Sequence, residues 1–264
     1  MTSRFVAESG SVFHIEDVGA GAPVLALHGL GGGAFFFHEF ARRLAASSRV
    51  IAVDLPGTGR STSARPFTFA TWVDDLGDLV RRHIGAPVVI VGHSLATILA
   101  LQAWQRWPDG IRALVFAGGL PKARQDICHR LACRATAISQ SGLGGWGEQV
   151  ARGVFAPGSA VAREDLISEF ARAFETQDPQ TYVRCIELLV DASAAEIVPS
   201  VEVPCLAVTG SEDQYAPPRD VQAFVRELPG TPGEIVLSGS GHMPFYECPD
   251  RFAGAVQMFL DRLT

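Results

Sequence analysis

The chain has 264 residues, 47% of them apolar, and a formal net charge of -6. That length can build one large core, and the composition excludes a disordered, fibrous or low-complexity chain. Acids and bases are mixed and no basic block occurs, which argues against nucleic acid as a partner.

The five cysteines, Cys128, Cys133, Cys185, Cys205 and Cys248, form no CxxC pair and no Cys/His ligand cluster. Neither a disulfide scaffold nor a metal site is therefore expected. Met1-Thr2-Ser3-Arg4-Phe5 lacks the apolar core of a signal peptide, and no apolar run reaches membrane-spanning length. A cytoplasmic protein that does not engage membranes is the expectation.

In chain order, Ser11 to Asp17 reads as a strand, with His14 expected at a sheet edge. Pro23 to His28 is a short buried strand that runs into Gly29-Leu30-Gly31-Gly32-Gly33. Phe35 to Ala46 looks helical, with Phe36, Phe40 and Leu44 on one face. Arg49 to Asp54 is the next apolar strand, closed by Pro56-Gly57-Thr58-Gly59-Arg60-Ser61. Phe69 to Ile84 has helical spacing. Pro87 to Val91 is a strand of β-branched residues that meets Gly92-His93-Ser94, and a helix to about Trp107 starts at once. Ile111 to Ala117 is a further strand. Alternating helices and continuously apolar strands predict an α/β fold: a mostly parallel central sheet with helices on both faces.

The rhythm breaks after Pro121. Residues 121–195 show no convincing strand and read as three or four helices inserted between residues 1–120 and 196–264. Strands resume at Val203 to Thr209 and Gly233 to Leu237, with helices from Asp220 to Leu228 and Arg251 to Leu263.

Gly92-His93-Ser94-Leu95-Ala96 has the layout of a nucleophile elbow, in which a sharp strand-to-helix turn lifts a serine hydroxyl clear of the sheet. A helix N-cap is the competing reading of Ser94. Ser94, Asp213 and His242 follow in that order, each just past a predicted strand. A serine is a good nucleophile only when an imidazole takes its proton and a carboxylate orients the imidazole. Glu212 is the alternative acid, and His28 or His93 the alternative base. His38, His83 and His129 fall on partly exposed helices. Acyl transfer also needs donors for the developing oxyanion, and the backbone N–H groups of Leu30 and Leu95 are the candidates. A dinucleotide reading of Gly29 to Gly33, with Asp54 as the distant acid, lacks the third glycine, because position 34 is Ala.

These motifs together resemble the α/β-hydrolase superfamily. His28-Gly29-Leu30-Gly31-Gly32 resembles its HGxGG oxyanion loop, Asp54 to Ser61 its D-x-x-G-x-G-x-S segment, and Gly92-His93-Ser94 its elbow. Gly210-Ser211-Glu212-Asp213 resembles its acid loop and Gly241-His242 its histidine loop. Ala96 departs from the usual glycine and implies a slightly tighter elbow. The resemblance implies an α/β-hydrolase fold whose segment 121–195 is a helical lid, and a site that needs no cofactor and no metal.

Within the superfamily the chain most resembles the bacterial 3-oxoadipate enol-lactone hydrolases and small carboxylesterases. A serine hydrolase that cleaves a small ester or lactone through an acyl-enzyme is the leading expectation. Carbon–carbon or amide hydrolysis, and a cofactor-free oxygenase or lyase using His-Asp proton transfer, are the alternatives. A binding protein with a reused site is a fourth class. Phe35, Phe36 and Trp146 are expected to line the substrate pocket. Arg124, Arg130 and Arg134 either form a solvated helix face or meet a substrate carboxylate, as a lactone acid would require. A small molecule is the expected partner, and a homo-oligomer is expected on base rate alone.

Overall fold

Runs such as Val24-Leu25-Ala26-Leu27 and Val88-Val89-Ile90-Val91 have no polar face to offer water, so they form strands covered on both sides. The computed structural model describes residues 1–263. Its strands are β1 (Thr2–Val6), β2 (Val12–Gly19), β3 (Ala22–Leu27), β4 (Ser48–Val53), β5 (Val88–His93), β6 (Ile111–Ala117), β7 (Cys205–Gly210) and β8 (Gly233–Leu237). They form one eight-stranded sheet in the order β1-β2-β4-β3-β5-β6-β7-β8. The pairs β1–β2 and β2–β4 are antiparallel and every other pair is parallel.

The expected α/β class is thus observed, with one correction at the edge. β1 is the outer strand, so His14 on β2 is an interior-strand residue and is buried. The short exposed β1, with alternating burial, gives no continuous apolar run to read.

The helices of the sheet layers are α1 (His38–Leu44), α2 (Phe69–Asp78) and α3 (Leu95–Arg106). The chain leaves β3 for β4 on one side, then crosses back past β3 to β5. Right-handed crossovers in opposite directions put α1 on one face and α2 and α3 on the other. That reversal opens a crevice at the carboxyl ends of β3 and β5, where ligands bind in such sheets. α2 continues as a π-helical stretch, Leu79–Ile84, which the left-handed Gly85 ends.

Between β6 and β7 lie α4 (Gln125–Ser141), α5 (Trp146–Val154), α6 (Pro157–Ala162), α7 (Glu164–Glu175) and α8 (Pro179–Asp191). The amphipathic faces of α5 and α7 pack on each other, and α4 pairs with α8. Helices α9 (Pro218–Glu227), α10 (Pro244–Glu247) and α11 (Pro249–Leu260) complete the chain, with α11 beside α1. The one-turn α10 and the short α6 carry too few periodic positions to read from sequence. Phe37, Phe40, Phe245 and Phe252 join α1, α10 and α11 in one aromatic cluster.

Candidate active site

Parallel register aligns the carboxyl ends of the central strands: Leu27 pairs with Gly92, His93 with Ala117, and Gly210 with Leu237. Ser94 follows directly, its N–H donating to Ala117 O at 3.0 Å. Its φ of 51° is the only positive value outside glycine among the described residues. A bulky residue held there costs about 1–3 kcal/mol, a strain that persists where the surroundings fix it. Those surroundings are tight. A Cβ on Gly92 would come within 2.6 Å of Ala96 O, and Ala96 itself is fully buried. The elbow therefore accommodates Ala96 without losing its turn.

His242 lies in the loop after β8, with Nε2 3.0 Å from Ser94 Oγ. Its Nδ1 is 3.0 Å and 2.9 Å from Asp213 Oδ1 and Oδ2. The Asp213 side chain is wholly inaccessible. Its Oδ1 accepts the backbone N–H groups of Tyr215 at 2.8 Å and Ala216 at 2.9 Å. Those bonds leave the carboxylate facing the ring. Glu212 is exposed, whereas the buried Asp213 bonds the ring, so the structure brings together Ser94, His242 and Asp213.

The other two histidines near the pocket are structural. His93 Nε2–H donates to His242 O at 3.0 Å, and its ring packs edge-on against Phe245. Burial, then the neighbouring His242, hold its pKa well below the usual imidazole value. His28 accepts the Leu55 N–H at Nε2 (3.1 Å), and Nδ1 bonds Gly29 O at 2.8 Å. Burial keeps His28 low as well.

Asp54 explains the acid that follows the glycine loop at a distance. Its Oδ1 accepts Ala34 N–H and its Oδ2 accepts Arg60 N–H, both at 2.7 Å. Both oxygens serve the chain's own loops, which removes the dinucleotide reading. Leu95 is the first residue of α3, where backbone N–H groups have no intrahelical acceptor. Leu30 lies on the loop after β3, and both residues line the same cavity as Ser94 and His242.

That cavity has about 830 Å³ of atom-free space, part of it open to solvent, and its walls are mostly apolar. Ile98, Leu120, Ile127, Leu131, Val150, Val154 and Phe170 supply much of the wall. Of the pocket residues expected from sequence, Phe36 and Arg124 line it and Phe35 and Trp146 do not. Phe35 turns to a separate groove with His14, Asp54 and Gly57. Trp146 opens α5 and packs against the core. Consecutive residues cannot all face one cavity, and Phe36 takes the inner position of the Phe35-Phe36-Phe37 run.

Sequence reasoning missed Tyr215 and Glu247. Tyr215 stacks on His242 with ring centroids 4.7 Å apart. Glu247 Oε1 accepts Gly241 N–H at 2.9 Å, and its Oε2 accepts Ala156 N–H at 2.9 Å. The position of Glu247, five residues beyond His242, was the only available signal.

A sequence model of the Alpha/beta hydrolase family matches residues 24–255. The chain is 27% identical over 247 residues to a pimeloyl-[acyl-carrier protein] methyl ester esterase of Neisseria meningitidis serogroup B, covering 90% of this chain and 92% of that protein. Its fold matches a thermophilic esterase from Thermogutta terrifontis with a TM-score of 0.90 at 21% identity, over 100% of this chain and 99% of the other. It also matches the enol-lactonase from Burkholderia xenovorans LB400 with a TM-score of 0.87 at 18% identity, over 98% and 100%. The extent of the sequence match, together with the elbow and the strand order around it, places this chain in the alpha/beta hydrolase family.

Proposed function

We propose that the protein is a serine hydrolase that cleaves a small carboxylic ester or lactone through an acyl-enzyme. One observation carries the reading: Ser94 Oγ, the His242 ring and the Asp213 carboxylate form a continuous hydrogen-bonded line at 3.0 Å and 2.9 Å. Ser94 Oγ attacks the carbonyl carbon, and its proton passes to His242 Nε2. Asp213 fixes the Nδ1–H tautomer and stabilises the imidazolium. The Leu30 and Leu95 N–H groups receive the carbonyl oxygen as it becomes an oxyanion. The C–O bond breaks, and the leaving alkoxide takes the proton from His242. Water then attacks the acyl-enzyme with His242 as base, releasing the carboxylic acid and restoring Ser94. The names of the methyl ester esterase relative and of the esterase and enol-lactonase structures support the same bond type.

In this reading residues 121–195 form a helical lid over a core of residues 1–120 and 196–264. The support is that α4, α5, α7 and α8 each contribute side chains to the cavity that contains Ser94. The partner is a small molecule. No helix among the described residues is long and apolar enough to cross a membrane. We place the protein in the cytoplasm on its cysteine usage, with Cys185 and Cys205 buried as thiols.

The test is stoichiometric labelling by an organophosphonate together with turnover of a small aryl ester. One label per chain on Ser94, and loss of both label and turnover in Ser94→Ala, is expected. Activity on the true substrate that survives Ser94→Ala would replace this mechanism with His-Asp proton transfer.

A further inference from the structure

Three arginines on or beside α4 lie near the cavity, and their surroundings differ. Arg124 is neutralised by Asp126 at 3.1 Å and Asp220 at 3.4 Å. Arg130 is exposed and sits 5.1 Å above the Tyr215 ring. Arg134 lines the apolar cavity itself, and no carboxylate lies within ion-pair distance of it among the described residues. It is held by two phenols instead: Nη1 donates to Tyr182 Oη at 3.2 Å and Nη2 to Tyr215 Oη at 3.4 Å. A partly buried cation in an apolar wall is normally paired. Here no residue among those described supplies a counter-ion.

The two tyrosines also fix where that charge sits. Tyr215 stacks on His242, and Tyr182 packs so closely on the oxyanion loop that a Cβ at Gly31 would come within 2.9 Å of its ring. Arg134 therefore spans the cavity between the base and the oxyanion loop, within one aromatic ring of each. A guanidinium has five N–H donors, and three remain after the two phenols are served. Each phenol that accepts from Arg134 keeps its own O–H for another acceptor. Planar donors of this kind match a carboxylate.

We propose that Arg134, with the Tyr182 and Tyr215 hydroxyls, is a carboxylate-binding subsite, and that the substrate is an ester or lactone whose acyl portion carries a second, free carboxylate. The subsite rests on the acyl-enzyme reading only for the identity of the bond cleaved. The surrounding Ile127, Leu131 and Val150 take the methylenes between the two carboxyl carbons. Neutral esters then leave Arg134 without a partner, and the enzyme discriminates against them.

The experiment compares para-nitrophenyl half-esters of straight-chain dicarboxylic acids, from succinate to suberate, with neutral esters that have ethyl in place of the carboxylate. At one chain length or more, kcat/KM should favour the half-ester by about tenfold or more, as expected for a charge-assisted bidentate contact. Arg134→Gln should reduce that ratio about tenfold, mainly through KM, while Arg134→Lys retains part of it. In parallel, calorimetry on Ser94→Ala should show monomethyl suberate binding at least tenfold tighter than dimethyl suberate, with the difference lost in Ser94→Ala/Arg134→Gln. A ratio that Arg134→Gln leaves unmoved, or equal binding of acid and diester, overturns the subsite. Arg134-dependent binding of the acid without turnover of any ester sustains the subsite and overturns the acyl-enzyme reading instead.

Discussion

The backbone N–H of His242 donates to the carbonyl of Val154 at 2.7 Å, which fastens the loop carrying the histidine to the last turn of α5. Glu247 adds a second tie, because one oxygen serves Gly241 and Met243 and the other serves Ala156. Burial pushes this carboxyl upward, against the pull of its backbone donors. These bonds tie the position of His242 to that of α5.

Glu247→Ala strands these N–H groups and should destabilise the fold by about 1–3 kcal/mol. It should also lower kcat about tenfold while KM moves little, because the loss is in the placement of His242. Glu247→Gln keeps the carbonyl acceptor for Gly241 and should fall between the two. Thermal unfolding and steady-state kinetics on the three proteins provide the comparison. A stability loss with kcat unchanged would show that the tie does not position the base.

The left-handed φ of Ser94 predicts an inverted stability order at the elbow. Ser94→Ala and Ser94→Gly both remove the hydroxyl, and glycine alone relieves the backbone. Ser94→Gly should therefore unfold at higher denaturant than Ser94→Ala, by about 1 kcal/mol, although both are inactive. Equal midpoints in urea would mean the elbow is unstrained.

Gly118 sits where β6 meets the Asp213–His242 pair. Its φ is +53°, and an added Cβ would lie 2.7 Å from His242 O and 3.1 Å from Asp213 Oδ2. Gly118→Ala should displace the carboxylate from the ring and reduce kcat by about a hundredfold or more, the scale on which general-base catalysis acts. Measured kcat within threefold of the parent would show that the pair has room to adjust.

Acid should erode the stability that two buried histidines contribute. His28 and His93 are buried, and burial holds both below the usual imidazole value of 6.5 in the folded chain. Lowered folded values mean that the unfolded chain takes up protons first as pH falls. Stability from the neutral rings is complete above about 6.5 and is lost below it, down toward the folded values. His93→Gln, which keeps a donor toward His242 O, lacks this acid-labile contribution. The melting-temperature gap between parent and His93→Gln should narrow from pH 7 to pH 5, and a constant gap would contradict the assignment.

The parts of the fold that could be read from sequence follow two signals. Continuously apolar strands ending in glycine-rich turns located β3 to β8, and the chemistry at their ends located Ser94, Asp213 and His242. β1 escaped because none of its five residues is fully buried and it offers no continuous apolar run. The arginines could be named but not ranked, since the acids that neutralise Arg124 come from positions 126 and 220. Phe35 and Phe36 differ only in which way a 3-10 turn points them. Glu247 resembled a helix-surface acid until its three backbone partners were visible. Such features depend on side-chain direction across distant segments, which periodicity does not encode.

Asp54 joins the turn after β3 to the turn after β4, with one oxygen for Ala34 and one for Arg60. Ser61 Oγ returns to the Asp54 carbonyl at 2.7 Å and holds the same corner from behind. These two turns are thus joined as one mechanical part. A chimaera that transplants the glycine turn from a relative will misplace the Leu30 amide unless the Asp54–Ser61 stretch travels with it.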